Sequence, residues 1–204
     1  MAPRTPLLHP KQYFEHRGFE LRPAAAAVGV AILAVVLAFA GFAVVLADRL
    51  RNAGHHGAAN EVWGVFGPYL FGVVFVMLLG WVIAAGVVHL IARAALSHDG
   101  GFGQTLAVVG WGTAPTALTS LVAFAFLVAA VGDASMASPE AFAEQFQAGL
   151  DRSSVLRNAV GFLVAGWETY VYANGLAVAF DDRSGAPWGV AVLVAYGSWL
   201  LSLI

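Results

Sequence analysis

The stretch DGGFGQTLAVVGWGTAP, residues 99–115, decides how the rest of the chain is read. It lies between one apolar run that ends at Arg93 and another that lasts to Val131. A glycine-rich turn (Gly100, Gly101, Gly103) opens an apolar segment, which Gly110, Trp111, Gly112, Thr113 and Pro115 then interrupt. Pro115 has no backbone N–H and its ring crowds the carbonyl of Trp111, so a helix passing through must kink or unwind. Lipid offers the freed carbonyl nothing, so neighbouring helices or the hydroxyls of Thr113 and Thr116 have to satisfy it. The break is therefore expected to face protein. The turn glycines do not make a dinucleotide fingerprint: counted from Gly101, the third glycine would fall at Leu106, and no strand precedes it.

Composition sets the solvent. The chain is 60 % hydrophobic and 11 % charged, with a mean hydropathy of +0.78, against about 25 % charged residues in soluble domains. Net charge is −2 without a basic run, so nucleic acid is not an expected partner. The absence of cysteine removes disulfides, thiolate metal sites and cysteine nucleophiles, and leaves the redox compartment open.

Working outward, the expected fold class is all-α: a polytopic bundle of five transmembrane helices, the third broken near Pro115. The spans are read at residues 24–47, 62–92, 104–131, 158–180 and 188–204. The first has no charged residue and as a helix reaches about 36 Å, enough for a hydrocarbon core of about 30 Å. Trp63, Phe66 and Tyr69 open the second where aromatic rings favour the headgroup boundary. Pro68 falls in its first turns, and Gly72, Gly80 and Gly86 further in would admit a close neighbour. The last span has 17 residues, at the lower limit for crossing.

Residues 1–23 read as a cytoplasmic tail in which Tyr13, Phe14, Phe19 and Leu21 among charges suit either a segment on the membrane surface or a loose end. Between the third and fourth spans, Ser138, Pro139 and Glu140 form a good helix start: N-cap, proline in the first turn and an acid at the positive dipole end. Phe142, Phe146 and Leu150 recur on one face over residues 138–150. That fits an interfacial helix, or one packed on the bundle's own loops. The amino-terminal side holds six Lys/Arg against four opposite, which favours a cytoplasmic amino terminus and an outer carboxyl terminus.

The candidate site residues form an intramembrane polar cluster: His89, Arg93, Glu168 and Asn174. Glu168 is the only acid inside an apolar run, and an ionisable group there is a functional candidate by default. Against this stands a glutamic acid that only fixes helix packing, with Arg93 snorkelling to the interface and His89 bonded within the bundle. His55 and His56 diverge on a helix and have no carboxylate or cysteine companions, so no metal site is read there. No catalytic, cofactor-binding or metal residue is assigned.

At residues 89–115 the sequence resembles the Yip-one domain family of membrane proteins, in its prokaryotic form. The resemblance rests on a second span ending in a basic residue (His89 to Arg93), a glycine loop with a Phe and Gln opening the next span (Gly100 to Gln104), and a small-aromatic-small stretch ending in proline (Val109 to Pro115). The lead-in Pro10 to Phe14 and the fourth span with Trp167 and Gly175 are similar too. The resemblance implies five spans and a cytoplasmic amino terminus. Eukaryotic relatives contact small GTPases through an amino-terminal region; the 23-residue tail here gives no support for GTPase binding.

Three function classes are open. A non-catalytic membrane organiser or scaffold in the cell membrane, with lipid, other membrane proteins or a second copy as partners, needs only packing glycines and surface segments. A small transporter or channel would use the broken span and Glu168. An intramembrane enzyme is the least favoured, since the His-Glu-x-x-His, Gly-x-Ser-x-Gly and paired-aspartate patterns are missing.

Overall fold

The structure is a computed structural model that describes residues 3–97 and 99–203. Met1 and Ala2 of the expected tail and Ile204 of the last expected span lie outside the described residues. The described elements are all helices: α1 (Pro10–Arg17), α2 (Leu21–Asn52), α3 (His56–Ala95), α4 (Phe102–Gly112), α5 (Thr116–Asp133), α6 (Pro139–Arg152), α7 (Ser154–Ala179) and α8 (Ala186–Leu201).

Three helical stretches are long and apolar enough to cross a membrane: Leu21–Asn52, His56–Ala95 and Phe102–Asp133, the last being α4 and α5 together. α8 is apolar but only 16 residues long. α7 has 26 residues, with Arg157, Glu168 and Asn174 diluting its apolar run.

The connection expected at residues 48–61 shrinks to residues 53–55. Ala58 and Ala59 are good helix formers, and nothing before Pro68 stops α3 from extending back to His56. Pro68 consequently lies in the helix interior and not in the first turns. Residues 10–17, expected in a surface segment or loose tail, form α1. Its Tyr13 and Phe14 are 3 % and 2 % exposed. The two aromatics pack together edge-on, so the charges around them belong to the opposite face.

The chain divides into two compact units. The first comprises residues 1–31, 77–116 and 161–204. Its core joins Tyr13 and Phe14 of α1, Ala24 of α2, Val88 and Ala92 of α3, Val108 and Trp111 of α4, Val171, Tyr172 and Leu176 of α7, and Val190 and Ala195 of α8. The α3–α4 loop and the α7–α8 turn meet within it: the buried Asp182 accepts from the Ser97 backbone N–H at 3.2 Å. Gly100 leaves the room that the Phe180 ring fills.

The second unit comprises residues 32–76 and 117–160. Here Phe42 of α2 packs on Phe66 of α3 and Phe146 of α6. Ser138 caps α6 by accepting from the Ala141 N–H at 3.2 Å. The apolar face of α6 turns to its own unit, with Phe142 stacked on Phe146 and Gly149 close to Ala130 of α5. The α2–α3 turn is tied to the α5–α6 connection. Arg49 donates to the carbonyls of Gly132 (2.7 Å) and Ala134 (3.3 Å), and His55 Nε2 meets the Met136 carbonyl at 2.8 Å.

Candidate functional site

The helix break belongs to the first unit and is built as the chemistry of proline requires. α4 ends at Gly112 and α5 starts at Thr116. The Trp111 carbonyl, which Pro115 cannot serve, accepts instead from the Ala114 N–H at 3.2 Å. The Thr113 hydroxyl donates back to the Gly110 carbonyl at 2.7 Å, and the Thr116 N–H reaches the Thr113 carbonyl at 3.0 Å. Gly110, Trp111, Gly112 and Pro115 are all buried. The break faces protein, as its backbone demands.

What covers it explains its small residues. A Cβ on Gly112 would overlap the ring of Tyr172, so only glycine lets α4 and α7 approach at this point. Gly175 on α7 does the reverse, giving room to Val108 and to the Phe14 ring, which would stand 2.7 and 3.0 Å from a Cβ there. Trp81 of α3 closes another side, its indole N–H donating to the Leu106 carbonyl at 3.0 Å. At the start of α4 the Gln104 side chain reaches back to accept from the Gly101 N–H at 2.8 Å. That is one half of a capping box, glycine having no side chain to supply the other.

The four residues of the expected polar cluster are not joined: among the described residues no hydrogen bond or ion pair links any two of them. His89 is half-buried, shares a hydrogen bond between its Nδ1 and the Thr105 hydroxyl (3.1 Å), and lies edge-on to Phe102. Arg93 is exposed and pairs with Asp99 at 3.4 Å. Asn174 donates to the Tyr170 carbonyl one turn back on its own helix. Glu168 is half-buried and, among the described residues, takes no hydrogen-bond or ion-pair partner; the Tyr172 hydroxyl one turn along α7 is within its electrostatic reach.

The residues flanking Glu168 do what sequence reasoning did not foresee. Trp167 donates from its indole N–H to the Leu7 carbonyl at 2.8 Å, and Tyr170 donates from its hydroxyl to the Leu8 carbonyl at 3.2 Å. Below them Phe14 settles against Gly175 and Val108, and Tyr13 meets Trp111 edge-on with centroids 5.6 Å apart. Burial raises the Tyr13 hydroxyl above its ordinary pKa of 10.0. The polar middle of α7 and the broken helix thus form a groove that holds the amino-terminal arm. The one signal for it in the sequence was an adjacent aromatic pair inside a charged segment.

The first unit also holds a separate apolar cleft of about 570 Å³ between α3 and α8, walled by Ala84, Val87, Ile91, Val194, Leu200 and Leu201. Glu168 is not among its walls. No curated protein and no solved structure matches the chain. The family model of the Yip1 domain matches residues 5–204, which take in the arm, the glycine loop, the broken helix and α7. The chain belongs to the Yip1 domain family.

Proposed function

We propose that this Yip1-domain membrane protein is a non-catalytic organiser, a five-span scaffold that joins other membrane components. The observation that carries this reading is the use made of its polar side chains. His89, Trp81, Trp167, Tyr170 and Asn174 all spend their donors or acceptors on internal contacts that fix helices and the arm. Small residues at the break bring helices together. Extensive apolar faces on α3, including Phe71 and Phe75, suit lipid or a neighbouring membrane protein.

The crossing of α3, the α4–α5 helix and α7 is supported by how the connections pair, and the fifth span rests on the apolar length of α8. The α3–α4 loop meets the α7–α8 turn inside one unit, and the α2–α3 turn meets the α5–α6 connection inside the other. Alternate connections of a five-span bundle share a side, which is this pairing. The excess of Lys/Arg favours the cytoplasm for the first set and for the amino terminus, in a cell membrane. On this reading α6 lies at the outer surface with Glu140, Glu144 and Asp151 turned to water. A GTPase-docking role is not proposed, because the arm's aromatic residues are taken up by the first unit.

The test is affinity capture of the tagged full chain from native membranes: a scaffold brings down defined partners in constant ratio. One observation favours a second reading, a small transporter or channel. Glu168 is a half-buried acid without a hydrogen-bond partner among the described residues. In proteoliposomes a transporter gives a flux that Glu168→Gln abolishes; a scaffold gives none in either form.

A further inference from the structure

We propose that the groove between α4 and α7 is a peptide-recognition site, and that its second ligand is the amino-terminal arm of another copy of this chain, exchanged about Gly18. The inference rests on reading the protein as an interaction protein and names one partner for it.

The groove reads its occupant mainly through features that any copy of the arm carries. Two of its polar contacts, from Trp167 and Tyr170, address main-chain carbonyls, and a third joins the Trp111 indole to the Tyr13 hydroxyl. Its apolar contacts take Tyr13 and Phe14, and Pro6 and Pro10 of the arm are buried as well. Aromatic-lined grooves suit such proline-containing segments, because proline brings no N–H to satisfy and little conformational entropy to lose. Among the described residues no ion pair ties the arm to the groove. The docking therefore does not distinguish a chain's own arm from that of a second copy.

The connection is suited to release. Gly18 follows α1 with a φ of +69°, and no atom lies within 4 Å of where its Cβ would be. A left-handed glycine without a Cβ contact can change its own backbone angles freely, and release of the arm then gives up the stacking of Phe14 on Phe19. Only Phe19 and Glu20 separate it from α2. Exchange of identical arms makes the same contacts twice and closes on itself as a symmetric pair, the low-cost route to a dimer.

The chain has no cysteine, so introduced thiols report without background. Leu8→Cys and Tyr170→Cys are placed on separately tagged full-length chains, mixed in lipid nanodiscs sized for two copies, and joined with a short bismaleimide. A double variant on one chain is the control for reach. The expected result is a cross-linked pair carrying both tags, suppressed by excess synthetic peptide of residues 3–17. Complete closure within the double variant, with no mixed-tag product, overturns the proposal. Hydrogen exchange on the unmodified protein is the second measurement. Residues 10–17 are expected to exchange at least tenfold faster than residues 169–176 of α7; equal protection means a fixed arm and also overturns it. Loss of exchange with partner capture intact removes this inference and leaves the scaffold reading in place.

Discussion

At Gly112 a single methyl group separates a packed pair of helices from one forced apart. The Tyr172 ring occupies the space that a Cβ would need, and that ring is 6 % exposed with little freedom to turn away. Gly112→Ala should therefore cost about 1–3 kcal/mol, the usual range for overpacking. Gly72→Ala, with nothing within 4 Å of the added carbon, should be neutral or slightly stabilising. Thermal unfolding of the two variants in one detergent checks the contrast; a harmless Gly112→Ala would show that the α4–α7 contact is looser than drawn. Glu168 calls for the opposite reasoning. Its carboxylate has no hydrogen-bond partner among the described residues, so Glu168→Gln removes no contact and should leave the melting temperature unchanged or higher. A clear fall in melting temperature would mean that the acid is held by a group outside the described contacts.

Among the elements, α1 and α6 are fastened in different ways and should fail differently. Phe14 is the arm's largest fully buried side chain, so Phe14→Ala should cost about 3–5 kcal/mol if the arm unfolds with the core. If the arm releases alone, the loss stops at its undocking and the core melts as before. Leu8→Ala, at a side chain 72 % exposed, should be silent. The start of α6 depends on Ser138, and Ser138→Ala should cost about 1 kcal/mol. Hydrogen bonds from the first-turn backbone and from Ser138 hold Glu140 below the ordinary carboxylate value of 4.5. Its contribution is thus present above 4.5 and is lost as pH falls through the lowered value. Acidification should lower the protection of the first-turn amides of α6 relative to their intrinsic exchange rates at each pH, and Glu140→Gln should remove that dependence.

These two helices also show how far the sequence could be read. The start of α6 was legible because cap, proline and acid act within one turn. The break at Pro115 was legible because a missing N–H is a local fact. The lid over the break was not: Tyr172, Gly175 and Phe14 come from distant parts of the chain, and no periodicity links them. For the same reason, the bonds from Trp167 and Tyr170, in the polar middle of α7, to two carbonyls of the arm were not foreseen. The start of α3 was missed because charged and small residues can continue a helix as readily as end one.

At the scale of the whole molecule, the proposed five-span arrangement predicts which connections share a side. Asp182 on the Ser97 N–H places the α3–α4 loop beside the α7–α8 turn; Arg49 and His55 place the α2–α3 turn beside the α5–α6 connection. Both pairs follow if every other connection returns to the same side, which requires α3, the α4–α5 helix and α7 to cross; the crossing of α8 rests on its apolar length alone. α8, with 16 residues, spans about 24 Å. It can cross only where the bilayer thins or its neighbours shield its ends. Single cysteines on the cysteine-free chain test the arrangement in sealed vesicles with an impermeant maleimide. Ala95→Cys and Ser184→Cys should label from the cytoplasmic side, and Asn52→Cys and Ala137→Cys from the other. Reversal of all four would invert the charge-based orientation and keep the span count. Labelling of Ala95→Cys and Ser184→Cys from opposite sides would break the five-span arrangement, because the bond between Asp182 and Ser97 could not then form.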